Sequence, residues 1–146
     1  LSTAATLLLQ AKAIFFLICA FFIRLQKRLT TDVAFYRSQK AYKAASQRLK
    51  SLTNSKYTNS KEFASELSEI LREYIGDKLN MEGNAITATE VEHKLKESGY
   101  LYDHVDITRK FLEKCEALQY APESSGNNRA LLNESQNLIK ILEKKS

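Results

Sequence analysis

The chain has 146 residues, 27% of them charged, with only four glycines, one proline and two cysteines. That length suits one domain of ordinary size rather than two, and a composition so poor in turn-formers predicts helices rather than hairpins. The net charge of +5 hides a division: residues 24–61 hold ten Lys/Arg against the single acid Asp32, whereas residues 62–146 hold eleven against sixteen acids. Cys19 and Cys115 are far apart and form no CxxC pair, so their spacing suggests neither a metal site nor a disulfide framework, and both are expected as reduced thiols.

The first predicted element is the apolar stretch AATLLLQAKAIFFLICAFFI, residues 4–23, followed by RLQKR. About 20 apolar residues at 1.5 Å each cross roughly 30 Å of hydrocarbon, which makes this a membrane-span candidate. Gln10 and Lys12 interrupt it, and the long stem of Lys12 reaches toward an interface if the boundary lies near it. The rival readings are a buried soluble helix and a secretory signal. Against the signal, no small-x-small cleavage site follows, and Arg24, Lys27 and Arg28 make a stop-transfer flank. If the helix spans, that flank puts residues 24–146 in the cytosol. Arg24, Lys27, Arg28, Arg37, Lys40 and Lys43 are then the candidate lipid-surface contacts. Because the chain begins at Leu1 rather than Met, it is expected to be the C-terminal part of a longer polypeptide.

Beyond the flank, Thr31 or Asp32 is placed to cap a helix over residues 32–52, with Phe35, Tyr42, Ala45, Leu49 and Leu52 as its apolar stripe. The polar run TNSKYTNS, residues 53–60, reads as a loop. A helix over residues 60–79 follows, capped by Asn59 or Ser60, with Phe63, Leu67, Ile70, Leu71, Tyr74 and Ile75 inward; NMEGN then breaks the pattern. Thr87 and Glu90 form a capping box for the next helix, which Gly99 stops. A helix over residues 103–120 turns Val105, Ile107, Phe111, Leu112, Cys115 and Leu118 inward and ends before Pro122. The last, over residues 127–144, buries Leu131, Leu132, Leu138, Ile139, Ile141 and Leu142. The expected architecture is all-α: a transmembrane helix with its basic flank over residues 1–30, then a cytosolic domain of about five helices over residues 31–146.

Nothing in this pattern asks for catalysis. Cys115 falls on an apolar face, and the only histidines, His93 and His104, lie on different elements without an acid partner implied by spacing. No GxxxxGK[ST] is present. We therefore expect no catalytic residues, no cofactor and no metal.

Three pieces, EYIGDKLNM at 73–81, ITATEVEHKLKESGY at 86–100 and CEALQYAP at 115–122, stand in that order behind an apolar helix with a basic flank. In this they resemble the C-terminal part of the BatD family of bacterial oxygen-tolerance proteins. Gln119 stands where that family commonly has arginine. The resemblance implies a single-pass protein of the bacterial cytoplasmic membrane with its helical domain in the cytosol. It also implies partnership with von Willebrand A-domain membrane proteins and a MoxR-type AAA+ ATPase in envelope stress or oxygen tolerance. Tyr74, Asp77 and Lys78, with Tyr120, become the candidate partner-binding residues. The reading from a different class is nucleic-acid binding through the basic helix 32–52, against which stands the acidic character of the C-terminal half.

Overall fold

A computed structural model describes residues 2–54, 59–81, 86–120 and 127–144. Among these there are five helices and no strand: α1 Ser2–Asn54, α2 Ser60–Lys78, α3 Ala88–Glu97, α4 Tyr102–Tyr120 and α5 Asn128–Glu143. By compactness the chain divides into two units, Leu1–Tyr36 and Arg37–Ser146. The division expected at 30/31 therefore falls inside α1.

The predicted helix start at Thr31 or Asp32 is absent, because α1 runs through it unbroken. No glycine or proline occurs in residues 1–54, so nothing in the covalent chain stops the helix. A capping side chain is useful only where backbone amides lack an intrahelical carbonyl. Here the threonine hydroxyls turn backwards instead: Thr30 Oγ1 donates to the Gln26 carbonyl at 3.0 Å and Thr31 Oγ1 to the Lys27 carbonyl at 2.8 Å.

In the first unit, α1 is long and apolar enough to cross a membrane, and none of its apolar window is buried. Phe15, Phe16, Phe21 and Phe22 are all exposed, Cys19 is half-buried, and Arg24, Lys27 and Arg28 follow as exposed cations.

The second unit has one apolar core, drawn from the C-terminal part of α1, α2 to α5 and Ile86. From α1 it takes Ala41, Ala45, Leu49 and Leu52, spaced by four, four and three residues. This corrects the expected stripe: Phe35 is 64% and Tyr42 41% exposed, since both lie well off the face that Ala41 and Ala45 define. Those two alanines face Ile70 and Tyr74 of α2 across a cavity of only about 30 Å³.

Helix α2 buries Phe63, Leu67, Ile70, Leu71, Tyr74 and Ile75, as the periodicity predicted, and Asn59 is its cap, accepting from the Lys61 amide at 2.9 Å. It ends at Asn80, which adopts φ 50° and is followed by a hydrogen bond from the Met81 amide to the Gly76 carbonyl at 2.8 Å. This is the six-to-one bond of a Schellman ending, with asparagine in the left-handed position. Gly76 is buried in the last turn because Ile86 lies against it: a Cβ there would stand 3.0 Å from Ile86 Cδ1.

The capping box of α3 is present in both directions, Glu90 amide to Thr87 Oγ1 at 3.2 Å and Thr87 amide to Glu90 Oε2 at 2.8 Å. Gly99, at φ 73°, stops α3, with the Tyr100 amide bonded to the Leu95 carbonyl and the Gly99 amide to that of Lys96. In α4 the inward register is Val105, Thr108, Phe111, Leu112 and Cys115; Ile107, expected inward, is 44% exposed. Thr108 is tolerated in the core because its hydroxyl donates to the His104 carbonyl at 2.6 Å. Ile141 of α5 is half-buried rather than buried. The expected stop at Pro122 lies outside the described residues, as do residues 55–58 of the predicted loop and residues 82–84 of the NMEGN break.

Candidate functional site

Three of the residues singled out for partner contact, Tyr74, Asp77 and Lys78, lie in the last turns of α2 and the fourth, Tyr120, ends α4, and the fold gives them different environments. Tyr74 is 2% exposed and its ring is part of the core. Its hydroxyl donates to Glu143 Oε1 at 2.6 Å, and Lys78 Nζ donates to the same oxygen at 2.7 Å, tying the end of α2 to the end of α5. Burial, reinforced by the hydrogen bond to Glu143, raises the Tyr74 phenol above its ordinary range. Lys78 points inward too, with a side chain only 12% exposed.

Asp77, one residue from Lys78, faces another way. Its Oδ1 accepts from Arg37 Nη2 at 2.7 Å and Nε at 3.0 Å, with both side chains about 40% exposed. Such a pair contributes roughly 0 to 1 kcal/mol and acts mainly to orient its groups. Tyr120, by contrast, is 86% exposed at the end of α4. Of the four candidates, Tyr120 and Asp77 are accessible to a partner, whereas Tyr74 and Lys78 support the helix end from inside.

Between these elements lies an open polar groove of about 740 Å³, lined by Arg37, Ser65, Ser68, Arg72, Asp77 and Gln119 among others. The groove offers paired charges and hydroxyls, with Arg72 bonded to Glu116 on one side and Arg37 to Asp77 on the other. Sequence reading missed a second feature next to it. Glu66, Glu69 and Glu73 recur at three and four residues on one face of α2 and converge on Arg48 of α1, which bonds Glu66 Oε1 at 2.6 Å and Glu73 and lies 3.9 Å from Glu69. The acidic spacing was visible in the sequence; its cationic partner Arg48, 18 to 25 residues earlier, was not.

This arrangement bears on the basic helix. Arg37 and Arg48 already have carboxylate partners on α2, which reduces the positive charge the helix offers to phosphate. Of the candidate lipid contacts, Arg24, Lys27, Arg28, Lys40 and Lys43 are exposed, and Arg37 is the one half-buried and held by Asp77.

Cys115 is fully buried, and burial pushes its thiol up to about 12, far from a reactive thiolate. His93 is exposed, 3.7 Å from Glu97 on its own helix, and His104 belongs to α4. Among the described residues no group of three or more His, Cys, Asp or Glu side chains is placed to hold a metal ion. Comparison with protein-family models, with curated proteins and with solved structures finds no match to this chain.

Proposed function

We propose that the protein is a membrane-anchored, non-enzymatic interaction module, with the first half of α1 as a single-pass anchor and the helical unit as a cytosolic docking body. The observation that carries this reading is the unburied apolar window of α1. A stretch of about 20 apolar residues left in water would forfeit tens of kcal/mol of transfer free energy at roughly 25 cal/mol per Å², so something outside the described chain covers it. The exposed cations Arg24, Lys27 and Arg28 directly after it favour the cytosolic side for the rest of the chain. The non-enzymatic part of the reading is supported by Cys115, whose thiol is fully buried, and by His93 and His104, which sit on different helices.

The BatD resemblance supplies the proposed setting: the cytoplasmic membrane of a bacterium, with von Willebrand A-domain membrane proteins and a MoxR-type AAA+ ATPase as partners in envelope stress or oxygen tolerance. Asp77 and Tyr120 are the proposed contact residues on the helical unit, with Tyr74 and Lys78 fixing the helix end beneath them. The test is the location of the C-terminus. A reporter fused after Ser146 is expected to be active only in its cytosolic form, with the fusion retained in membranes through alkaline carbonate washing. Activity of a periplasm-only reporter, or release by carbonate, overturns the reading.

A further inference from the structure

The groove beside Asp77 holds a buried hydroxyl that the fold leaves unanswered. Ser68 lines the groove, is 4% exposed, and makes no side-chain hydrogen bond among the described residues. Buried hydroxyls normally find a partner within the protein, as Ser135 does in donating to the Leu132 carbonyl at 2.7 Å. Arg72, four residues further along the same face of α2, has a buried Nε that also lacks a partner, although its Nη2 is bonded to Glu116. One helix position round from Ser68 and Arg72, the lining residues Glu69, Glu73 and Asp77 form a row at steps of four residues, or about 6 Å each. The Glu69 and Glu73 side chains are 59% and 56% exposed. The ion pairs around the groove tie five carboxylates to only three arginines, Arg37, Arg48 and Arg72, so the surface there is negative although the whole chain is basic.

We propose that the groove takes an extended peptide segment of a partner protein, with lysine or arginine at alternate positions. The inference rests on the reading of the helical unit as a docking body and names the chemistry of what it docks. An extended chain turns side chains to one side at every second residue, roughly 6.6 to 6.8 Å apart. That spacing is close to the step of the carboxylate row, so three alternating cations meet Glu69, Glu73 and Asp77 within the reach of their flexible stems. The same chain offers a main-chain amide and carbonyl at each residue, and the Ser68 hydroxyl, which both donates and accepts, answers either one. Arg37 uses only Oδ1 of Asp77, which leaves Oδ2 for an incoming cation. The bonds from Arg37 and Arg48 to this row are partly exposed and contribute little, so a partner's cations replace them at small cost. The carboxylate excess repels phosphate, which sets aside nucleic acid and an anionic lipid surface as occupants.

The experiment uses the full chain in a mild neutral detergent and the fluorescein-labelled peptide Gly-Thr-Lys-Thr-Lys-Thr-Lys-Gly, with binding followed by fluorescence anisotropy at low salt. Two further peptides serve as comparisons, one with the same residues but its lysines contiguous and one with glutamate in place of lysine. The alternating peptide is expected to bind about fivefold more tightly than the contiguous one and far more tightly than the glutamate one. Spermidine, which carries the charges without a main chain, is expected to displace it only at about tenfold higher concentration than the unlabelled peptide does. Glu69→Lys is expected to weaken binding about tenfold. Ser68→Ala is expected to weaken it about three- to tenfold. Glu113→Lys, a matched charge reversal on α4 at a residue outside the groove lining, is expected to leave it within about twofold, with circular dichroism unchanged in all three variants. No binding by the wild-type chain, equal affinity for the three peptides, or preference for the glutamate peptide overturns the proposal. So does equal weakening by Glu69→Lys and Glu113→Lys, or an unchanged affinity in Ser68→Ala. Spermidine competing as well as the peptide overturns it in favour of a small polyamine. Release of the chain from membranes by carbonate overturns the anchor reading alone, a failure separate from any of these.

Discussion

The hydroxyl of Tyr74 gives the most direct check on how the helical unit is held together. The whole buried core lies in residues 41–142, so a fragment of residues 30–146 is expected to fold and melt cooperatively without the apolar half of α1. In that fragment Tyr74→Phe leaves the ring in the core and removes only the donor to Glu143 Oε1. A hydrogen bond to a charged acceptor contributes about 1.5 to 3 kcal/mol, and Glu143, 28% exposed, recovers part of that from water. The expected loss is therefore about 1 to 2 kcal/mol at pH 8. The pH dependence is the sharper signature. Because burial and then the Glu143 bond raise the folded phenol above its ordinary 10.0, the protonated phenol's contribution is complete below about pH 10 and is lost as pH rises beyond it. Each pH unit above 10 costs the wild type about 1.4 kcal/mol at this position and the phenylalanine variant nothing. Urea melts followed at 222 nm are thus expected to show the variant weaker at pH 8 and the two nearly equal by about pH 11. A difference that stays constant across that range, or a variant more stable at pH 8, would refute the buried and bonded hydroxyl.

Three further outcomes are expected. Cys115, buried and with its thiol pushed up to about 12, should resist a thiol reagent at pH 8 until denaturant is added, and its contribution to stability should fade as pH rises from about 8.5 toward 12; rapid labelling of the native fragment would show an accessible thiol. At the left-handed end of α2, Asn80→Gly should preserve stability whereas Asn80→Val should cost about 1 to 2 kcal/mol, and equal melts would mean that the φ 50° ending does not constrain the chain. Asp77→Ala should cost less than about 1 kcal/mol, since Asp77 and Arg37 are both about 40% exposed, while reducing capture of a cytosolic partner from solubilised membranes; a loss of 3 kcal/mol would identify the pair as a structural bond instead.

What was legible in the sequence followed from how local each signal is. The Thr87–Glu90 box and the Gly99 stop each involve residues within a turn of one another, and both were readable. The buried faces of α2 and α5 were likewise readable from their spacing, apart from Ile141. The error at Thr31 and Asp32 arose because a cap-forming side chain is only permissive. It takes a breaker, or a change in what the neighbouring chain packs against, to start a helix there, and residues 1–54 contain neither glycine nor proline. Phe35 and Tyr42 were misplaced for a related reason. Their size suggested burial, while on this stretch of α1 the small residues Ala41 and Ala45 are the ones buried.

The candidate site was the least legible part because its meaning depends on distant partners. The spacing of α2 already turned Tyr74 inward, but the partner of its hydroxyl, Glu143, lies 69 residues later and could not be read from that spacing. Asp77 and Lys78 look like one solvated pair, yet adjacent residues on a helix diverge by about 100°, so one reaches back to Arg37 and the other across to Glu143. The same helix turn therefore separates two tasks. Lys78 and Tyr74 fix α2 against α5 from within, and Asp77 holds a half-buried, weakly bonded position lining the groove. A contact that contributes little to folding is free to be exchanged for a partner's, which is why Asp77 and Tyr120, rather than Tyr74 and Lys78, are the positions where recognition is expected to be lost without loss of the fold.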